Sequence, residues 1–177
     1  VQEELRYFEQ TVLPHLPAAY NLARWLTRNE QDAEDLVQEA YLRAFKYFKS
    51  FRRQNSHTWI LQIVRNTFYS QIAQNRLQGT VTILEDEDYE DSSEAFNPER
   101  LVLQNINYQL LKEALLALPV EFREVTVLRE LEELSYKDIA ELTGLPIGTV
   151  MSRLARARKQ LQQKLSDYRN GEKVVDL

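Results

Sequence analysis

The 177-residue chain contains no cysteine, only four glycines, five prolines and a single methionine. Without thiols it can build neither a disulfide framework nor a thiolate metal site, and it has no cysteine nucleophile, a composition that fits a reducing cytoplasm. No apolar run is long enough to cross a bilayer and the N-terminus lacks a signal-peptide pattern, so a soluble cytoplasmic protein with no direct membrane insertion is expected. Extended runs of alternating apolar residues are missing as well. What is abundant instead is Leu, Ala, Glu, Gln and Arg, which together predict an all-α fold. The length permits one ordinary domain or two small ones.

Basic charge is also short overall, since the formal net charge is −5, the wrong sign for a nonspecific DNA binder. The excess acid is confined to one place. Residues 1–77 hold ten Lys/Arg and eight Asp/Glu, residues 78–99 hold none and eight, and residues 100–177 hold twelve and eleven. Within the last part, Glu130, Glu132, Glu133, Asp138 and Glu141 precede a basic group made by Arg153, Arg156, Arg158, Lys159, Lys164 and Arg169. A chain that is locally basic and globally acidic is suited to binding DNA weakly alone and more firmly beside a partner.

The most informative stretch runs from Leu134 to Leu161, LSYKDIAELTGLPIGTVMSRLARARKQL. Ser135 can cap a helix whose apolar residues Tyr136, Ile139, Ala140 and Leu142 recur at three- and four-residue steps, and Gly144 stands where it must stop. Pro146 and Gly148 punctuate the start of a second helix. On that helix Val150, Leu154, Ala157 and Leu161 form one stripe, with Thr149, Ser152, Arg156 and Lys159 opposite and Arg153 and Arg158 flanking. This is a helix-turn-helix pattern, and its second helix is suited to lie in a DNA major groove.

Toward the N-terminus, Phe8, Val12, Leu13, Leu16, Tyr20, Leu22, Ala23 and Leu26 follow a helical period broken at Pro14 and Pro17, which predicts a bend or two helices. Asn29 or Asp32 begins a longer helix with Ala33, Leu36, Val37, Ala40, Ala44 and Phe48 toward the core and Asp35, Gln38, Glu39 and Arg43 outside. Asp32, Glu34 and Asp35 suit the positive end of its dipole. The next stretch, FKSFRRQNSHTW, interleaves Lys46, Lys49, Arg52 and Arg53 with Phe48, Phe51 and Trp59, and with Gln54, Asn55, Ser56 and His57. Cations for phosphates, rings for unstacked bases and amides for base edges are what single-stranded nucleic acid requires. Trp59 itself is read as core, because Ile60, Ile63 and Val64 continue its apolar face. His57 is not read as a metal ligand, since the only other histidine, His15, lies in a different segment.

The segment TILEDEDYEDSSEAF has no sustained apolar period and is expected to be a flexible acidic linker. Asp86, Asp88 and Asp91 lack the spacing and glycine of a calcium loop, so no metal is expected there. Asn97 and Pro98 are expected to cap and open the next helix. It carries Leu101, Val102, Ile106, Leu110, Leu111, Ala114, Leu115 and Leu118, and Pro119 restarts the chain. In VEFREVTVLRELEEL the period predicts Phe122, Val125, Leu128 and Leu131 inside, with Arg123, Glu124, Arg129 and Glu130 outside.

DAEDLVQEAYLRAF, TWILQIVRNTFYSQI and LPVEFREVTVLRELEELSYKDIAELTGLPIGTVMSRLARARKQL, in that order and spacing, resemble the bacterial RNA polymerase sigma factors of the extracytoplasmic-function (ECF, group IV) family. The resemblance covers nearly the whole chain. It implies two small helical domains, sigma domain 2 over 1–78 and sigma domain 4 over 99–170, joined by the acidic linker 79–98 and followed by a tail at 171–177. It further implies that the chain binds core RNA polymerase and directs it to promoter DNA, under the control of an anti-sigma factor that is often membrane-tethered. The face around Asp35, Gln38, Glu39 and Leu42 resembles the family's polymerase-docking surface. Arg52, Arg53, Asn55, Ser56, His57, Asn66 and Ser70 fall where the family captures and melts the minus-ten element.

For the minus-thirty-five duplex, Ser152 and Arg156 are the base-edge candidates, with Arg153, Arg158 and Lys159 mainly on phosphates and Thr149 on the same side. Met151 stands where many relatives carry Arg, and Ala155 where some carry an aromatic, which points to a different promoter preference. No catalytic residue and no cofactor are expected. A stand-alone helix-turn-helix regulator is the alternative, but it would bring a ligand pocket or phosphoacceptor domain, and the N-terminal segment shows the pattern of neither.

Overall fold

The computed structural model describes residues 1–52, 55–79 and 101–175, with side chains omitted at 101–107 and 172–175. Every regular element among the described residues is a helix. Arg53 and Gln54, most of the acidic linker and the expected cap at Asn97 and Pro98 lie outside the described residues.

The N-terminal half is built from α1 (Gln2–Thr11), α2 (Leu16–Thr27), α3 (Glu30–Tyr47) and α4 (Ser56–Leu77). The prolines produce the expected interruption: Pro14 lies in a 3-10 turn, Leu13–His15, and Pro17 sits in the first turn of α2, where its missing N–H costs no helical bond. Asn29 is the N-cap of α3, its side chain accepting from the backbone N–H of Asp32 at 3.0 Å. Ala33, Leu36, Val37, Ala40, Ala44 and Phe48 are all buried, as the period required. The tyrosine of α3 ties it to the chain reversal, because Tyr41 Oη donates to the Val12 carbonyl at 3.2 Å. Burial pushes that hydroxyl up to about 12, so it remains protonated and available as donor. Phe48 stacks on Phe51 with centroids 5.6 Å apart, and Trp59 packs against Phe51 at 4.8 Å. Trp59 therefore belongs to the packed interior edge of this bundle, as expected.

The C-terminal half comprises α5 (Leu101–Leu116), α6 (Val120–Thr126), α7 (Tyr136–Thr143) and α8 (Ile147–Val175). α8 continues past residue 170 into the stretch read as tail. Ser135 caps α7, accepting from the N–H of Asp138 at 3.0 Å, and Gly144 ends it with φ 70° in the left-handed region. Ser135 is exposed, so its main contribution is this cap. Ser135→Ala is expected to lower the unfolding free energy by about 1 kcal/mol, readable as a shifted urea midpoint at unchanged slope.

Between α6 and α7 the simple helical period fails. Val127–Leu131 forms a π-helical turn, which inserts extra backbone and advances the phase of everything after it. Leu131 is consequently 48% exposed rather than buried, while Val127 joins Val125 and Leu128 in the core. Glu133, with φ 55°, reverses the chain, and Leu134 returns to the core with its N–H on the Leu128 carbonyl at 3.1 Å.

Arg123 and Glu124, expected outside, are both buried, and Phe122, expected inside, is half-buried. Arg123 caps the end of α5, its guanidinium donating to the carbonyls of Leu116 at 2.9 Å and Leu118 at 3.0 Å. Such carbonyls have no intrahelical partner, which is why a charged side chain is accepted there. Burial lowers the Arg123 pKa to about 10, still well above neutrality. Arg129 is half-buried, donating to the Leu134 carbonyl at 2.8 Å with its guanidinium over the Tyr136 ring; of the four, only Glu130 is exposed as expected.

The two halves share one hydrophobic core. Leu22, Leu36, Ile60 and Phe68 of the first are continuous with Val125, Leu128, Ile139 and Leu142 of the second, and the main inter-half packing is α4 on α7 and α2 on α6.

Candidate nucleic-acid and polymerase interfaces

The second helix of the helix-turn-helix is the N-terminal part of α8. Its inner stripe is as expected, with Val150, Leu154 and Ala157 buried and Leu161 packed against Leu115 and Leu118 of the preceding helical pair. Fixing that stripe leaves Gly148, Met151, Ser152, Ala155, Arg156 and Lys159 exposed along one outward face. Ser152 Oγ donates to the Thr149 carbonyl at 3.0 Å, and Thr149 is half-buried in the first turn. The face is narrow and carries small residues at 148, 152 and 155, so the backbone can approach a groove closely, with Arg156 and Lys159 standing above it. Met151 and Ala155 lie on it as well.

The two flanking arginines differ from the expected arrangement. Arg153 is half-buried and acts electrostatically on the Glu124 carboxylate, and Arg158 donates to Glu130 at 3.2 Å. The Arg158 pair is more than half exposed on both sides, so it contributes little to stability and exchanges readily for another anion.

Of the minus-ten candidates, Arg52 and Asn55 lie in the loop before α4, and Ser56, His57, Asn66 and Ser70 are spread along its first fifteen residues. Arg52 is exposed, and Asn55 is the N-cap of α4, accepting from the N–H groups of His57 at 3.1 Å and Thr58 at 3.4 Å. Its carbonyl oxygen is thus committed to the helix, leaving the NH2 group as the part that can meet a base. Ser56 is engaged with His15, Oγ to Nε2 at 2.8 Å. Asn66 is exposed and Ser70, one turn on, is half-buried.

His15 and His57, far apart in sequence, have ring centroids only 5.3 Å apart, and burial together with the charge of His57 lowers the His15 pKa. His57 in turn meets Glu132 at 3.2 Å. Among the described residues no group of three or more His, Cys, Asp or Glu side chains could hold a metal ion.

The polymerase candidates lie on the outer face of α3. Asp35, Gln38 and Leu42 are exposed, Leu42 to 68%, and Glu39 is braced by Arg43 at 2.8 Å. Glu39, Leu42, Arg43, Lys46 and Tyr47 line an open depression there. An exposed leucine and tyrosine rimmed by charges have the anatomy of a protein-binding surface. Phe45, 41% exposed on the same helix, was not singled out from the sequence, although its spacing of three from Leu42 is the signal that would have found it.

No helix among the described residues is long and apolar enough to cross a membrane. Residues 11–78 match the family description Sigma-70 region 2, and residues 108–161 match Sigma-70, region 4. The chain is 36% identical over 141 residues to the ECF RNA polymerase sigma-E factor of Escherichia coli, covering 76% of this chain and 74% of that protein. It is 32% identical over 167 residues to the ECF RNA polymerase sigma factor SigE of Mycolicibacterium smegmatis, covering 94% of this chain and 65% of that longer relative.

Among solved structures, the sigma factor RpoE in complex with the anti-sigma factor NepR from Bartonella quintana superposes with a TM-score of 0.71 at 34% identity, over 91% of this chain and 98% of that one. The fold is also shared by CnrH in complex with the cytosolic domain of CnrY, with a TM-score of 0.64 at 22% identity over 92% and 90% of the two chains. With two sigma regions in order on one helical chain and relatives of this identity along most of its length, the chain belongs to the ECF sigma factors of bacterial RNA polymerase, a family of transcription initiation factors.

Proposed function

We propose that the chain binds core RNA polymerase in the cytoplasm and selects promoters for it, without any enzymatic activity of its own. The observation that carries this reading is the outward face of α8: an exposed Ser152, Arg156 and Lys159 on a helix whose opposite stripe is locked in the core. Arg156 and Ser152 read base edges of the minus-thirty-five duplex, while Lys159, Arg153 and Arg158 hold phosphates beside Thr149. Arg52, Arg53, Asn55, Ser56, His57, Asn66 and Ser70 receive the minus-ten strand. Asp35, Gln38, Glu39 and Leu42 dock on polymerase.

The working division is sigma domain 2 over 1–78, a linker over 79–98, sigma domain 4 over 99–170 and a tail over 171–177. An anti-sigma factor is the expected inhibitor, a reading supported by the likeness to a sigma factor solved with one. The purified chain added to core polymerase is expected to co-elute with it and to initiate specific transcription from promoters selected out of a randomised library. A chain that binds an operator by itself and gives no transcription with core polymerase would be a stand-alone regulator instead.

A further inference from the structure

The first turns of α8 carry two neighbouring lines of side chains that differ in chemistry. Gly148, Ser152 and Arg156 stand four residues apart on one line, and Ile147, Met151 and Ala155 on the line beside it, all of them exposed. The first line supplies a hydroxyl and a guanidinium. The second supplies no side-chain hydrogen-bond donor, yet Ile147 is 49% and Met151 51% exposed. Neither belongs to the buried stripe of Val150, Leu154 and Ala157, so the core gains little from their being apolar. Single exposed apolar residues need no explanation, but here three share one edge of the face that presents Ser152 and Arg156.

In a helix-turn-helix the N-terminal residues of the second helix meet the base edges. The floor of a major groove offers hydrogen-bonding atoms at every base pair and one kind of apolar group, the methyl on C5 of thymine. A side chain without a donor gains nothing from the acceptors N7, O6 or O4. Set against the amino group of cytosine or adenine, methionine strips water from a donor and returns only a weak thioether acceptor. Against a methyl, both partners remove apolar surface from water. Met151 is unbranched and polarisable, so it can follow a methyl over small displacements of the helix. Gly148, Ser152 and Ala155 beside it are small, which leaves room for the methyl to sit close to the backbone of α8.

We propose that Met151, flanked by Ile147 and Ala155, reads the C5-methyl of a pyrimidine in the minus-thirty-five duplex, so that promoter choice depends on this methyl as well as on hydrogen bonds. Thymine carries the methyl, and 5-methylcytosine carries the same group at the same place in the groove. Cytosine methylation opposite Met151 therefore strengthens binding. The inference rests on α8 lying in the duplex as proposed above, and it adds the chemical feature that one edge of the helix selects.

The test uses holoenzyme reconstituted from the full chain and core polymerase, bound to promoter fragments altered only in the minus-thirty-five duplex. Each thymine of the selected element is replaced in turn by deoxyuridine, which keeps the base pair and removes one methyl. At one position the affinity is expected to fall about three- to fivefold, the worth of one methyl group returned to water. At that position cytosine and 5-methylcytosine are then compared, and the methylated pair should bind more tightly by a similar factor. Met151→Gln, close in length but polar, should bring the thymine-to-uracil ratio to unity, whereas Met151→Leu should keep it. Lys159→Ala should weaken both duplexes equally and leave the ratio unchanged. The melting temperature of each variant should match that of the wild type, because both positions are exposed.

A response in both arms supports the C5-methyl as the group read, and a response to uracil alone supports thymine as its only source. Equal binding of thymine and uracil at every position, or a Met151→Gln chain that keeps the wild-type ratio, overturns the proposal. A wild-type chain that fails to transcribe with core polymerase overturns the promoter-selecting reading instead. A holoenzyme that transcribes equally well from thymine and uracil promoters leaves that reading intact and sinks only the methyl contact.

Discussion

Arg156→Ala should reduce transcription from promoters with a minus-thirty-five element by about five- to a hundredfold while leaving the melting temperature of the protein unchanged. The size follows from the role: a bidentate contact with a base edge discriminates by about 1–3 kcal/mol, and each 1.4 kcal/mol is tenfold. The separation from stability follows from position, because Arg156 is exposed on the outward face of α8 and no stripe residue depends on it. The loss should be specific to the base pair that Arg156 reads, so that substituting that pair in the promoter costs the variant nothing further. Lys159→Ala is the built-in contrast. As a phosphate contact it should weaken all promoters alike and reduce the slope of log affinity against log salt by about 1. If both variants behave identically across a set of mutated promoters, Arg156 does not read a base.

Leu128→Ala should destabilise the protein by about 2–5 kcal/mol, the largest effect expected of a single conservative truncation. Leu128 is fully buried at the junction of α6 and the π-helical turn, beside Val125, Val127 and Leu134, and its carbonyl accepts the Leu134 N–H that closes the reversal into α7. The side-chain cavity therefore opens where the backbone is least regular and least able to collapse onto it. Chemical denaturation followed by circular dichroism would read the loss directly. A cost below about 1 kcal/mol would mean that the site relaxes around the missing methyl groups, and that the core does not hold the turn in place.

Much of the helical framework could be read directly from the residues, because its signals are local. Asn29, Ser135 and Gly144 act as caps through bonds and torsions that span at most four residues, and the stripes of α3 and α8 repeat with the period of the helix itself. The outward face of α8 was legible for the same reason: once Val150, Leu154 and Ala157 are inside, geometry puts Ser152, Arg156 and Lys159 outside. The outward side of α3 followed in the same way from its buried alanines and leucine, while its candidacy for polymerase docking came only from the resemblance to sigma factors.

What periodicity could not supply was any decision made between elements. A π-helical turn breaks the phase that a pattern argument assumes, and so Leu131 was placed on the wrong side. Arg123 looks like a surface cation until the orphan carbonyls of α5 are brought beside it, and Glu124 like a surface acid until Arg65 and Tyr69 arrive from the other half. His15 and His57 were separate residues in separate segments, and packing alone set their rings side by side. The sequence by itself determined an all-helical chain, its caps, its apolar faces and its kinship with sigma factors, because each of these rests on neighbours along one helix or on order along the chain. Only the tertiary structure decided which charges are buried and how the two halves meet, because a carboxylate's partner 55 to 111 residues away leaves no mark on the local pattern.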